Sequence, residues 1–558
     1  MNDVLSTNRR QFLLGSAAVS TLALTSTSCL AESGEQNPSN RTFPYGIASG
    51  DPTQTSLVIW TQAEGQARVE WQLATDEQFK TVAKSGVAST GPSKDFTVKV
   101  DVNGLKPGVQ YYYRFSSNGK LSPVGRAKTL PVGRVDSLNI AVASCSNYVF
   151  GLFNAYAHIA NDKNIDYVLH LGDYIYEYGD DGWGAESGKL LNRVHQPTNE
   201  IVSLQDYRTR HRQYKSDHGS QLMHAAHPLI PIWDDHESTN NPYVDGAQNH
   251  QPEQEGDWHT RRAASIQAYY EWMPIRDPAT GDDPTRLWRK FVFGDLATLV
   301  TLETRHTARA KQYDYLDVFK TMPDKAERDK FIQETLADPS RKMLHEDMEA
   351  FLTVALKESK ESAQPWRVIG NQIPMARTHA PNLNEVFTRF KPDAKGYALQ
   401  QMEHLEMLGQ LDLPLYLDTW DGYEGAREQF YQTCAASGSR DLLVLTGDSH
   451  SFWANELYTA NGQAMGVEIG TAGITSPGDF ETMGDDMAKI YDKALAQHNA
   501  EVNWTDCRHR GYVKVTLTPL SAKVQYIAMR NVAIKDMAAS VLREETVVHR
   551  DGTLVYQG

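Results

Sequence analysis

The stretch Tyr167-Val168-Leu169-His170-Leu171-Gly172-Asp173 decides the fold class. A short, mostly apolar run suited to burial on both faces stops at glycine and then presents a carboxylate. This is the pattern of an inner strand of an α/β sheet, whose ligand sites lie beyond the carboxyl ends of the strands. Leu442-Leu443-Val444-Leu445-Thr446-Gly447-Asp448 repeats the pattern. Each aspartate is followed at short range by a second metal-competent side chain, Tyr176 in one case and His450 in the other. Two further runs end in the same manner: Asn139 to Ala143 before Ser144-Cys145, and Pro228 to Trp233 before Asp234-Asp235-His236-Glu237. Carboxylates, a thiol, a phenol and imidazoles gathered at one sheet edge suit a hard divalent or trivalent cation. A carboxylate can bridge two cations in phosphoryl transfer, and Asp173 is the candidate for that bridge.

Outward from this core the pattern divides the chain. From about Phe43 to Leu130 the apolar period is two, as in Ser56-Leu57-Val58-Ile59-Trp60-Thr61 and Gln110-Tyr111-Tyr112-Tyr113-Arg114-Phe115. Turn residues break it at Asp51-Pro52, Gly91-Pro92 and Lys106-Pro107-Gly108, which predicts an antiparallel β-sandwich over residues 43–131 similar to a fibronectin type III module. Residues 137–540 alternate strand and helix and form the expected α/β catalytic domain. Within it, Asp324 to Lys360 reads as solvated amphipathic helices, and the runs from Gly511 and Ala522 read as a hairpin. Residues 541–558 are expected to be a C-terminal tail.

With 558 residues, 40% hydrophobic and 22% charged, the chain is long enough for two domains and ordinary for an ordered protein. A net charge of −15 argues against a surface that coats nucleic acid, while leaving a metal site free to attract phosphate. Four cysteines, none in a Cys-x-x-Cys pair, exclude a disulfide scaffold, and Cys434 and Cys507 read as structural or as a disulfide pair. No Gly-x-Ser-x-Gly elbow precedes a helix, so a serine hydrolase is not expected. Residues 1–31, with Ser6-Thr7-Asn8-Arg9-Arg10-Gln11-Phe12-Leu13-Leu14 ahead of a weakly apolar stretch, resemble a twin-arginine export signal. The expectation is a periplasmic or extracellular protein delivered by the twin-arginine machinery, with Cys29 as an alternative lipid-attachment point. A polar linker follows over residues 32–42, and no transmembrane segment is expected in the mature chain.

Taken together and in order, Gly46-Ile47-Ala48-Ser49-Gly50-Asp51-Pro52, Ala143-Ser144-Cys145, Gly172-Asp173-Tyr174-Ile175-Tyr176-Glu177, Trp233-Asp234-Asp235-His236-Glu237 with Asn240-Asn241, Trp420-Asp421-Gly422-Tyr423 and Gly447-Asp448-Ser449-His450-Ser451 span nearly the whole mature chain. In these strings the chain resembles the calcineurin-like metallophosphoesterases, and within them the PhoD-type alkaline phosphatases. The resemblance implies a four-layer αββα catalytic domain behind the sandwich, and an active site of iron (Fe3+) and calcium (Ca2+). It implies Cys145, Asp173, Tyr176 and His450 as the iron set, and Asp173, Asp235 and Asp448 on the calcium side, helped by Asn241 or Asp234. A metal-bound hydroxide or oxide is then the expected nucleophile on phosphorus. His236 stands where the superfamily keeps a general acid or phosphate contact, and Arg305 where a guanidinium could clamp a phosphate oxygen. Glu303 and Asn371 depart from the usual pattern, Asp being common at the first and a Gly-Gln-Gln string around the second.

Each residue also has a plainer role: Cys145 as inert packing, Asp234 and Asp235 as a helix N-cap pair, Arg305 as half of an ion pair. The expected substrates are small phosphate monoesters and diesters, with phospholipid or teichoic-acid-like diesters among the candidates and inorganic phosphate as product. The competing functions are a phospholipase D-like phosphodiesterase on the same metals and a calcium-stabilised extracellular binding protein with a vestigial site. No specific nucleic-acid binding is expected.

Overall fold

The computed structural model describes residues 42–557 except Gln66 and Pro323. The twin-arginine stretch, Cys29 and most of the linker lie outside the described residues. Two large sheets organise the rest. In the first, strands Leu138–Ala143, Tyr167–His170 and Leu229–Pro231 run parallel, with Val168 opposite both Ala141 and Leu229. In the second, Ala297–Thr301, Trp366–Gly370 and Leu442–Thr446 run parallel, with Ile369 opposite both Val300 and Val444. The carboxyl ends of both sets meet at one edge, so residues 145, 173, 234–236, 305, 448 and 450 arrive together.

The sheets pack face to face. Ile140, Val142, Leu169 and Ile230 of one sheet share a buried core with Leu299, Val368, Leu443 and Ile469 of the other. Because successive strand residues point to opposite faces, Ala141, Ala143, Val168 and Leu229 face outward. They pack on Phe153, just before helix Asn154–Asn161, and on Tyr156, Tyr214, Met223 and Tyr269 from that helix and helices Leu204–Ser216, His218–Ala226 and Trp258–Trp272. The far side of the second sheet is covered by Met348, Leu352 and Leu356 of helix Glu346–Glu361 and by Phe430 and Tyr431 of helix Glu424–Ala436. Helix, sheet, sheet, helix is the four-layer αββα order expected. Helix Glu346–Glu361 is therefore solvated on one face only.

The N-terminal strands divide between two sheets. Arg68–Ala74, Val82–Ser89, Gln110–Ser117, Lys120–Leu121 and Gly125–Lys128 form a separate five-stranded sheet. Ile47–Gly50, Ser56–Gln62 and Thr97–Asn103 instead extend the first catalytic sheet, Gly50 pairing in parallel with Leu229. Leu57, Ile59 and Val98 from that extension close on Val69, Leu73, Tyr113 and Phe115 to make the sandwich core. Asp51, just past the pairing, bonds Arg289 at 2.9 Å and Arg276 at 3.2 Å. Arg289 also donates to the Pro231 carbonyl on the strand that leads to Asp234 and Asp235.

Two expectations are corrected. Residues 541–558 are not a tail: Ala539–Arg550 and Thr553–Tyr556 are the last two strands of the ten-stranded sheet, and Val547 and Leu554 are buried in the inter-sheet core. Their sequence reads as polar because an edge strand exposes most of its side chains. Cys434 and Cys507 are both buried free thiols lying in different cores, so they form no disulfide. No helix among the described residues is long and apolar enough to cross a membrane.

Candidate metal centre

The loops that leave the strand ends are bent into an unusual conformation. Cys145 (φ 59°), Asp173 (φ 52°), Asn241 (φ 51°), Asp448 (φ 64°) and His450 (φ 52°) all adopt the left-handed backbone that side chains other than glycine rarely occupy. Such strain costs of order 1 kcal/mol or more per residue and collects at functional sites. Gly172 also has positive φ, and a Cβ there would lie 2.3 Å from Asp234 Cβ, so only glycine lets the two loops touch. Glu237 holds them: its carboxylate accepts from the backbone N–H groups of Asp173 (3.1 Å), Tyr174 (2.6 Å) and Asp234 (2.8 Å).

Three groups of donor atoms result, each with its atoms within 4.8 Å of one another: Cys145 with Asp173 and His450, Asp173 with Asp235 and His236, and Asp234 with Asp235 and Asp448. Asp173 belongs to the first two groups and Asp235 to the last two, so the groups form a chain. The Tyr176 hydroxyl joins the first, 3.0 Å from Asp173 Oδ2, 3.2 Å from His450 Nε2 and 2.8 Å from Ser476 Oγ. His450 Nδ1 bonds the Pro477 carbonyl at 2.9 Å, which puts its proton on that nitrogen and turns the Nε2 lone pair toward Cys145 and Asp173. The Trp183 indole lies parallel to the His450 ring at 5.6 Å.

The electrostatics call for cations. Burial pushes the Cys145 thiol, the Tyr176 phenol and the Asp173 and Asp448 carboxyls well above their ordinary ranges, and neighbouring carboxylates add to this in each case. Burial also pushes Asp234 up to about 6, and Glu237 up to about 8 in spite of its three donors. It lowers His450 to about 3, which keeps the imidazole in its neutral, ligating form. Burial alone would lower His236 too, but Asp235, Glu177 and Asp173 together hold it well above its ordinary value. Asp234 Oδ2 and Asp235 Oδ1 are buried without a hydrogen-bond partner. The pocket, about 170 Å³, is lined by Asp173, Asp235, Asp418, Asp448 and Asp479 with no lysine or arginine among its lining residues. An isolated phosphate group would be repelled from such a wall. The donor set fits metal cations, with hard carboxylate oxygens along the wall and a thiol, a phenol and an imidazole at the Cys145 end.

Cys145, Asp173, Tyr176, Asp235, Asp448 and His450 are thus brought together, and His236 and Asn241 line the same pocket. Arg305 is not. It is fully buried, bonds Asp234 and, at 2.9 Å, Asp448 Oδ1, and does not line the pocket. Of the two roles open to it, the geometry is that of the ion pair, because Glu303 accepts the N–H groups of Arg305, His306 and Thr307 and turns the chain inward. Asp234 is the arginine's partner. Glu177, Glu237, Ser476, Asp418, Tyr416 and Asp479 were given no role from the sequence. Glu237 and Glu177 stand within the quoted motif strings, but three-way backbone clamping leaves no signature in spacing.

The PhoD-like phosphatase family model matches residues 140–526, and the model of the N-terminal domain of PhoD-like phosphatases matches residues 28–131. The chain belongs to the PhoD-like phosphatase family. It is 33% identical over 572 aligned residues to alkaline phosphatase D of Bacillus subtilis (strain 168), covering 98% of this chain and 88% of that protein. The solved structure of PhoD superposes with a TM-score of 0.73 at 30% identity, covering 94% of this chain and 93% of that one. This PhoD-like chain is a phosphoric ester hydrolase, and its αββα domain with an N-terminal β-sandwich is the architecture that the family resemblance implied.

Proposed function

We propose that the chain is an exported, metal-dependent phosphatase that hydrolyses phosphate monoesters and diesters and releases inorganic phosphate. One observation carries the reading: five aspartates line a pocket, and two of its lining residues, Asp173 and His450, also meet the buried Cys145 thiol and Tyr176 phenol. Cys145, Asp173, Tyr176 and His450 would hold Fe3+, and Asp173, Asp235 and Asp448, with Asn241, would hold Ca2+. The cations supply Lewis-acid activation of water and neutralise the phosphoryl oxygens.

The remaining work falls to the protein. His236 bonds Glu177 Oε2 through Nδ1 at 2.6 Å and stacks on Tyr176 with ring centres 4.2 Å apart. Both contacts fix the ring, and the surrounding carboxylates favour its protonated form. Its Nε2 proton is the one available to the leaving alcohol oxygen as the ester bond breaks. Arg305 neutralises Asp234 and Asp448 from behind. The Arg9-Arg10 stretch supports export of the already folded, metal-loaded protein by the twin-arginine route.

The test is a metal inventory of protein exported by its native route, with turnover of p-nitrophenyl phosphate and bis(p-nitrophenyl) phosphate. Iron and calcium with activity on both esters are expected. Protein carrying iron and calcium yet inert to both would sink the reading. Cys145→Ser should weaken iron binding and bleach visible absorption, and an unchanged spectrum would remove the thiol from the iron site.

A further inference from the structure

At the mouth of the pocket, two adjacent asparagines spend their side-chain nitrogens on a single acceptor. Asn240 Nδ2 donates to Gln248 Oε1 at 3.0 Å, and Asn241 Nδ2 donates to the same oxygen at 2.8 Å. Both asparagines line the pocket beside Asp235, and Gln248 does not. We propose that Gln248 is a positioning residue: by engaging both amide nitrogens, it leaves two neutral carbonyl oxygens as the atoms Asn240 and Asn241 offer to a hard cation.

The backbone around this trio is tied on every side. Asn241 N–H donates to Asp235 Oδ2 at 2.9 Å and Asn240 N–H to Glu177 Oε1 at 2.8 Å. In return, Gln248 N–H bonds the Asn241 carbonyl at 3.1 Å and Asn249 N–H the Asn240 carbonyl at 3.2 Å. The short hairpin that pairs Pro242–Tyr243 with Gly246–Ala247 carries the chain out and brings Gln248 back. Gln312 Nε2 takes the Asn241 carbonyl as well, at 3.1 Å. The amide groups are therefore the movable part, and an amide has two unlike ends. Turned with nitrogen toward the pocket, each would donate to the carboxylates and compete with a cation. Turned with oxygen inward, each adds a ligand atom without adding negative charge to a wall that already has five carboxylates. One shared acceptor outside the pocket selects the second arrangement for both.

The inference rests on the reading that the pocket holds cations, and its test reads binding instead of turnover. Calcium is titrated calorimetrically into cation-stripped protein, with the melting temperature of each stripped variant checked first. Gln248 is exposed, so its variants should fold as the parent does. Gln248→Leu should weaken calcium binding about tenfold, at the low end of the range for residues that orient metal ligands. Gln248→Glu still accepts from both amides and should bind at least as tightly as the parent. In an Asn240→Ala/Asn241→Ala background, Gln248→Leu should have no further effect, since the nitrogens it engages are gone. Parental affinity in Gln248→Leu, or a Gln248→Glu variant as weak as Gln248→Leu, would overturn the role of Gln248 alone. A parent protein that takes up no calcium would overturn this role and the calcium half of the proposed function together.

Discussion

The backbone N–H of Asp173 donates to the carboxylate of Glu237, 64 residues further along the chain, at 3.1 Å. The same carboxylate holds Tyr174 and Asp234, so one buried side chain ties the left-handed turn at Asp173 to the loop that carries Asp234. Glu237→Ala removes both acceptor oxygens and leaves three buried backbone N–H groups without that partner. It should lower stability by about 2–3 kcal/mol and weaken cation binding with it. Chemical denaturation and metal content check this together. Parental values of both would show that the clamp is dispensable.

Asp173 belongs to two donor groups at once. Asp173→Ala should release metal from both ends of the chain of ligands and cut turnover by at least about 10³-fold. Elemental analysis beside a phosphate-release assay decides it, and full turnover with metal retained would remove Asp173 as the bridge.

His236 separates two roles. Its Nδ1 is held by Glu177, and its Nε2 lies 3.9 Å from Asp235 Oδ2. His236→Ala should reduce kcat by about 10²–10⁴-fold while metal content stays near that of the parent, as expected for a proton donor. Loss of metal in parallel with activity would make it a ligand instead.

Asp51 joins the sandwich to the catalytic sheet. Burial pushes its carboxyl up, but Arg289 and Arg276 more than reverse this and leave it below the ordinary range. A folded-state value below the unfolded one, about 3.9, means that the unfolded chain binds the extra proton. The stabilisation is then complete above about pH 4 and is lost as pH falls through the folded value. Asp51→Asn should melt lower than the parent at pH 7, by the equivalent of about 2 kcal/mol, and the gap should narrow as pH falls below about 4. A gap that stays constant with pH would assign the loss to packing and not to charge.

Much of the site could be read before folding. Asp173, Asp448 and Cys145 follow apolar runs of strand length, and a buried parallel strand has few other ways to appear in sequence. Tyr176 and His450 stood out through their offsets from those aspartates. Two features depended on their surroundings. Arg305 follows a strand end, as a phosphate clamp would, yet the turn fixed by Glu303 sends it behind Asp234 and Asp448. Residues 541–557 read as a tail because the last two strands, at one edge of the sheet, bury few side chains, Val547 and Leu554 among them.

The sequence by itself determined the alternation of strands and helices and the strand ends that carry Cys145, Asp173, Asp235 and Asp448, because periodicity is a local property of the chain, while the four-layer order followed from the family resemblance. Which of these side chains meet, and which carboxylates pair with a guanidinium, was decided only by tertiary structure. Those outcomes turn on separations of a few ångströms between loops brought together from distant parts of the chain, and electrostatic interaction and desolvation act through space without regard to chain order.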